Sequence, residues 1–251
     1  MDISVGNGVR MIDGHIHIGR WSERFFGLEV GLDRTDEVLG SCGFEGAVVT
    51  ATDLRDNELV LREIERARLR YWFFAWVNPA DKGGLQRLEE WGSRVSGLKF
   101  HPSCDEIRIT DQRCEPFLEY AEERNLPVLV HCGRWQEMAS YRYALEAARK
   151  HPGVRFVFAH MGGDQPDLVK ATCQALSSGN LRNVWLGMEG IREYWLIRRV
   201  IDDLGAERVI FGSDYPIGHP KMYLGVIDAL DLAENERRWI CRETVLSVIS
   251  G

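Results

Sequence analysis

Apolar residues in this chain alternate between two rhythms, short unbroken runs and longer segments spaced like one face of a helix. The unbroken runs fall near 9–17, 46–50, 71–77, 97–101, 127–131, 154–160, 183–187 and 208–212. Pro127-Val128-Leu129-Val130 and Val154-Arg155-Phe156-Val157-Phe158-Ala159 are typical. Strands covered on both faces, as in a parallel sheet, have this composition. Between them, 56–69 places Leu59, Leu61, Ile64, Ala67 and Leu69 in one apolar stripe, the signature of an amphipathic helix. Pro116 stands near the start of another helical run, where its missing N–H costs nothing, and Tyr143 to Ala148 continues a run of good helix formers. Further helices are expected near 84–91, 166–177, 192–203, 220–230 and 234–249.

Eight strand-then-helix units require parallel pairing with right-handed crossovers. Eight is also the number that closes a (β/α)8 TIM barrel. The expectation is therefore an α/β chain forming a single barrel domain over 1–251, with no linker or tandem repeat. The least regular stretch, 18–35, carries Trp21, Phe25 and Phe26. It reads as a long aromatic loop, either capping a pocket or packed on the barrel surface.

Composition narrows the function classes. The length of 251 residues suits one α/β barrel, and an apolar content of 45% supports a large core. A net charge of -7 without a basic stripe argues against nucleic acid. The six cysteines include no C-x-x-C pair, which suits reduced thiols in a cytoplasmic protein. Met1-Asp2-Ile3-Ser4 lacks the features of a signal peptide, and no apolar run approaches the roughly 18 residues of a membrane span. The partner expected is a small-molecule substrate, with no nucleic acid and no membrane; assembly into a homo-oligomer is left open.

The chemical residues sit at the ends of the strand-like runs. His15 and His17 are two apart and so share a strand face. Imidazole suits zinc and related divalent ions. His131 closes the fifth run, His160 the sixth, and Asp214 follows the eighth. In a barrel these ends share one rim, where active sites form. Each residue has an ordinary alternative: a satisfied core histidine for His131, a helix N-terminal residue for His160, a turn former for Asp214. Their joint placement favours one shared metal site.

The segments Asp13-Gly14-His15-Ile16-His17, Gly97-Leu98-Lys99-Phe100-His101-Pro102, His131, Ala159-His160-Met161-Gly162-Gly163 and Gly212-Ser213-Asp214-Tyr215-Pro216 together resemble the amidohydrolase superfamily. More narrowly, they resemble its amidohydrolase-related branch, which holds both metal-dependent hydrolases and nonoxidative decarboxylases. The resemblance spans nearly the whole chain and implies the barrel already read from alternation. It implies that His15, His17, His131 and Asp214 ligate one divalent ion per chain, zinc in the first instance with manganese as the alternative. His160 matches the catalytic histidine. Lys99 matches a lysine that is carboxylated and bridges two metals in binuclear relatives; here a substrate contact is favoured for it, as for His101.

That ligand set implies a Lewis-acidic ion able to activate water near neutral pH. Asp214 would accept the water's proton and His160 would assist the electrophile or leaving group. The function expected is hydrolysis of a small amide, lactone or ester. Decarboxylation of a small carboxylic acid is the alternative, and a catalytically silent metal-binding barrel a further one. Arg20 beside Trp21, Arg134 beside Trp135, and Arg192 all follow strand ends, where guanidinium groups would hold an anionic substrate. Each also reads as a surface arginine in a salt bridge. Glu189 reads equally as a pocket residue or a helix N-terminal carboxylate, Cys132 as a buried thiol, and His219 as a minor substrate contact. His151, in a turn at the other end of the barrel, is excluded.

Overall fold

The structure, a computed structural model, describes residues 10–251. Val9, at the start of the first expected strand, and the Met1–Ser4 segment lie outside the described residues. The barrel strands are β1 (Met11–His17), β2 (Phe44–Thr50), β3 (Arg70–Trp76), β4 (Gly97–Phe100), β5 (Val128–Val130), β6 (Phe156–Phe158), β7 (Val184–Gly187) and β8 (Val209–Ile210). They lie side by side in chain order and every ladder is parallel. The eighth strand returns to the first through Gly14 N–H to Phe211 O (2.7 Å), Asp214 N–H to His15 O (2.9 Å) and His17 N–H to Tyr215 O (2.7 Å).

Alternation along each strand divides the core into two layers. Ile12, Val48, Trp72, Phe74, Leu129, Val157 and Ile210 form one cluster with Val245 and Val248 of the last helix, Thr244–Ser250. Other strand residues, among them Ile16, Val49, Phe73, Leu98, Val130 and Phe158, pack in a larger cluster with the surrounding helices. The first set points into the barrel and the second out of it, the period-two geometry of a strand. Burying each large inward side chain contributes roughly 1.5–3 kcal/mol. By the same parity Trp76, Lys99 and His131 point inward; on β1 the register shifts between Asp13 and Ile16, after which Ile16 packs outward and His15 and His17 face the cavity.

The helices agree with the apolar spacing: Asn57–Ile64, Gly84–Trp91, Glu115–Glu123, Tyr141–Lys150, Pro166–Gly179, Tyr194–Leu204 and Pro220–Ala229. Three places differ. The expected loop 18–35 is partly ordered as a hairpin pairing Gly19–Arg20 with Glu29–Val30, a short turn at Glu23–Phe25, and the start of helix Leu32–Ser41. The expected strand 154–160 stops at Phe158, because His160 and Met161 adopt left-handed backbone at φ 56° and 52°. The helix expected over 234–249 is interrupted by a π-helical turn at Trp239–Glu243. Within that turn the Ile240 carbonyl accepts from Phe211 N–H (2.9 Å), so the final helix supports the end of β8. Among the described residues no helix is long and apolar enough to cross a membrane.

The close strand contacts are intolerant of added atoms. A Cβ at Gly46 would lie 2.2 Å from the Arg70 carbonyl oxygen, which is backbone and cannot swing aside. Gly46→Ala is therefore expected to destabilise the protein by about 1–3 kcal/mol, read as a lowered denaturation midpoint in urea.

Candidate active site

A cavity of about 720 Å³ opens at the C-terminal ends of the strands. His15, His17, Lys99, His101, His131, His160 and Asp214 all reach its surface, although they span two hundred positions of sequence. His160 and Asp214 sit in left-handed conformations, φ 56° and 55°. Such backbone is uncommon outside glycine, though His and Asp adopt it more readily than most, and it costs on the order of 1–3 kcal/mol that the surroundings must offset. At His160 and Asp214 it occurs where the chain leaves a strand end and turns to face the cavity.

Hydrogen bonds fix which nitrogen of each histidine carries its proton. His17 Nδ1 lies 2.7 Å from the Ala51 carbonyl and His15 Nδ1 lies 2.9 Å from Glu189 Oε1. Carbonyl and carboxylate oxygens accept, so both Nδ1 atoms donate and both Nε2 atoms keep a lone pair. His17 Nε2 then stands 3.0 Å from Asp214 Oδ1, and His15 Nε2 3.8 Å from the same oxygen. Three electron-rich atoms converge with no proton of their own to share. A positive charge between them resolves the repulsion, and a divalent ion with nitrogen and oxygen ligands near 2.0–2.2 Å holds its ligands roughly 3–4 Å apart. Among the described residues, His15, His17 and Asp214 are the group of ligating atoms that lie within 4.8 Å of one another. The Glu189 contact behind His15 is the carboxylate–histidine arrangement that orients metal ligands.

His131 stands in a different relation from the other expected ligands. Its Nδ1 faces His160 Nε2 at 3.1 Å, while His160 Nδ1 donates to the Glu189 carbonyl (3.0 Å). His160 Nε2 is thus the acceptor and His131 Nδ1 the donor, leaving His131 Nε2 with the lone pair. The His131 ring lies in a flat stack, 3.8 Å from His101, whose other face lies 5.0 Å from Trp76. Asn57 clasps the Trp76 backbone at both N–H and C=O, at 3.0 and 2.9 Å. His101 Nδ1 accepts from Cys104 N–H (3.2 Å), so its proton sits on Nε2.

Burial governs the charges. It pulls His15 down to about 4, with nearby Lys99 acting in the same direction, and takes His101 and His131 well below the usual histidine range. Asp13, whose Oδ1 accepts from the His15 and Ser213 amides, is pushed by burial up to about 7. For Asp214 burial also acts upward, while a proton gained by the facing histidines acts downward, and the downward effect is the larger. Glu189 is likewise raised by burial and brought below the usual range by His15. Its Oε2 and the Oδ2 of Asp13 are buried without hydrogen-bond partners. Lys99 Nζ lies 3.2 Å from His15 Nε2, and burial lowers its pKa to about 8.

The substrate-contact expectations separate at the cavity mouth. Arg134 and Arg192 line it, Arg134 pairing with Asp164 at 2.6 Å. Arg20 does not: the hairpin turns it to solvent beside Glu23 (3.4 Å), and Arg24 takes the place at the rim. Trp21 and Phe25 form one wall, with Trp21 edge-on to His17 at 4.7 Å, whereas Phe26 is 94% exposed. His219 caps helix Pro220–Ala229 through Lys221 N–H and is not part of the cavity wall. His151 is buried near Glu115 and Glu122 (3.4 Å each), far from the wall residues in the fold. Cys132 is fully buried, its thiol pushed up to about 12. Trp76, Asp13, Arg24, Asp164 and Tyr223 were not singled out from sequence. Only Trp76 carried a signal, as the third of the alternate residues Trp72, Phe74 and Trp76 at a strand end.

Comparison with known proteins gives a consistent result. A family model described as Amidohydrolase matches residues 12–244. None of the curated proteins matches the chain in sequence. Among solved structures, an amidohydrolase from Burkholderia multivorans with bound zinc has 14% identity and a TM-score of 0.78, over 96% of this chain and 99% of its own. A putative 2-pyrone-4,6-dicarboxylic acid hydrolase from Pseudomonas putida has 18% identity and a TM-score of 0.77, over 97% and 98%. The 5-carboxyvanillate decarboxylase of Sphingomonas paucimobilis has 14% identity and a TM-score of 0.74, over 97% and 99%. At these identities the three structures share the barrel fold with this chain.

The Lys99 ammonium gives a pH-dependent test. Its folded pKa of about 8 lies below the 10.5 of the free side chain. The cost of burying the charge is therefore complete below pH 8 and fades as pH rises towards 10.5. Lys99→Met should raise the stability of metal-stripped protein by on the order of 3 kcal/mol at pH 7. The gain should shrink towards zero near pH 10.5 in thermal unfolding.

Proposed function

This chain belongs to the amidohydrolase family, and on that premise we propose that it is a metal-dependent hydrolase of a small amide, lactone or ester that carries a carboxylate. The observation that carries the reading is the meeting of the His15 and His17 lone pairs with Asp214 below a mouth that holds Arg24, Arg134 and Arg192. His15, His17 and Asp214 would hold one divalent ion, zinc or manganese, with His131 Nε2 the fourth donor. A bound divalent ion supplies the Lewis acidity that makes water a nucleophile near neutral pH.

The residues of the chain do the rest. Asp214, held ionised, accepts the proton of the attacking water. His101 presents its Nε2–H to the oxygen that gains charge, and Lys99 adds a nearby positive charge. The rim arginines draw in the carboxylate and orient the reacting bond. His160 holds His131 in place through the Nδ1 hydrogen bond and stands ready to receive that proton. An ionised Asp214 is an acceptor rather than an acid, which favours hydrolysis. Decarboxylation remains the second reading, supported by a cavity that combines an anion-collecting mouth with neutral proton-bearing groups.

Metal-stripped protein reloaded with zinc or manganese, screened against lactones, amides and esters of carboxylic acids, is expected to hydrolyse at least one class. Asp214→Asn should lower that turnover at least about a hundredfold. Release of CO2 from a carboxylic acid without any hydrolysis would replace this reading with decarboxylation, and no turnover of either kind would remove the enzyme. Independently of activity, Glu189→Gln should weaken zinc binding about 10–100-fold, measured by competition with a chromophoric chelator.

A further inference from the structure

Tyr223 lies on helix Pro220–Ala229, nine positions beyond Asp214, and the chemistry above makes no use of it. Its side chain forms part of the cavity wall, and only 8% of the residue is exposed. The phenol oxygen accepts the Gly190 N–H at 2.8 Å. The carbonyl of the same peptide unit, that of Glu189, accepts from His160 Nδ1 at 3.0 Å. The Glu189–Gly190 peptide is thus gripped from both sides. Gly190 itself has φ +79°, and a Cβ there would meet His160 Nδ1 at 2.7 Å, so the position requires glycine.

The hydrogen-bond count then leaves one group unspent. A phenol has one proton to donate besides its acceptor sites. The oxygen is committed as acceptor to Gly190, and no acceptor for its proton lies within hydrogen-bond distance among the described residues. Burial raises the pKa of Tyr223, so the proton is retained at neutral pH. Unlike the long, exposed arginines at the mouth, this donor is held by a short bond on a packed ring with few rotamers.

We propose that Tyr223 is a substrate-contacting residue whose O–H donates to an anionic oxygen of the acid bound in the cavity. The inference rests on reading this cavity as the site for a carboxylate-bearing substrate. An O–H···O⁻ bond is charge-assisted and stronger than its neutral counterpart, so Tyr223 discriminates a carboxylate from an uncharged group of the same shape. It also lies beside the peptide that positions His160, which places the contacted oxygen close to the reacting centre.

The test uses zinc-loaded full-length protein, with benzoate and its uncharged analogue benzamide as probes, followed by quenching of the cavity tryptophans Trp21 and Trp135. Tyr223→Phe is expected to weaken benzoate binding about 10-fold or more and benzamide binding less than about 3-fold. Equal weakening of both probes, or unchanged benzoate binding, would overturn the assignment. Because phenylalanine also removes the acceptor for Gly190, a second protein carries 3-fluorotyrosine in place of Tyr223. It keeps the oxygen and makes the phenol a stronger donor. Tighter benzoate binding than wild type supports the contact; unchanged or weaker binding assigns Tyr223 to the peptide grip alone. Failure of the wild-type protein to bind benzoate at all would instead remove the carboxylate-site reading, an outcome seen before any variant is made.

Discussion

Three main-chain hydrogen bonds join the eighth strand to the first, and each has one end within two residues of His15. Asp214 N–H donates to the His15 carbonyl itself, so the bond that closes the barrel also sets the carboxylate against the two imidazoles. Asp13 reinforces the same seam by accepting from the His15 and Ser213 amides with one oxygen. The π-helical turn near the C-terminus adds an acceptor for Phe211 just below. Closure of the sheet and assembly of the site are one event, because the same short stretches of backbone carry both.

Once assembled, the site holds more acceptors than donors. The lone pairs of His15 and His17 and the charge of Asp214 face one another, while Asp13 and Glu189 each bury an oxygen without a partner. Burial keeps His15, His101 and His131 neutral, so the positive charge supplied from within is that of Lys99, which lies against His15 Nε2 alone and is itself disfavoured by burial. This imbalance is the physical argument for an exogenous cation. The same low-dielectric surroundings that make it costly also strengthen the attraction to an ion that enters.

Around that centre backbone atoms hold several of the side chains, while His15 is held by Glu189 and His131 by His160. Ala51, Cys104, the Glu189 carbonyl and Gly190 N–H each fix one polar atom of His17, His101, His160 and Tyr223 respectively. Backbone partners do not titrate or change rotamer, so tautomers and directions are set before any substrate arrives. The flat stack of Trp76, His101 and His131 extends this order to a ring without a backbone bond of its own.

The sequence by itself determined the alternation of strands and helices, and with it the barrel, because burial on both faces stamps each strand with a local apolar run. Strand parity likewise fixed that His15 and His17 share a face and that Lys99 and His101 share one. The tertiary structure decided what no local pattern records: that Glu189, rather than capping a helix, lies behind His15; that Arg24 and not Arg20 reaches the mouth; that His131 leans on His160; and that Tyr223 enters the wall. These depend on how loops travel after leaving a strand, through left-handed residues and a small hairpin whose paths follow from long-range packing. Spacing along the chain reports which face a residue takes inside an element. Only closure of the sheet reports which distant faces meet.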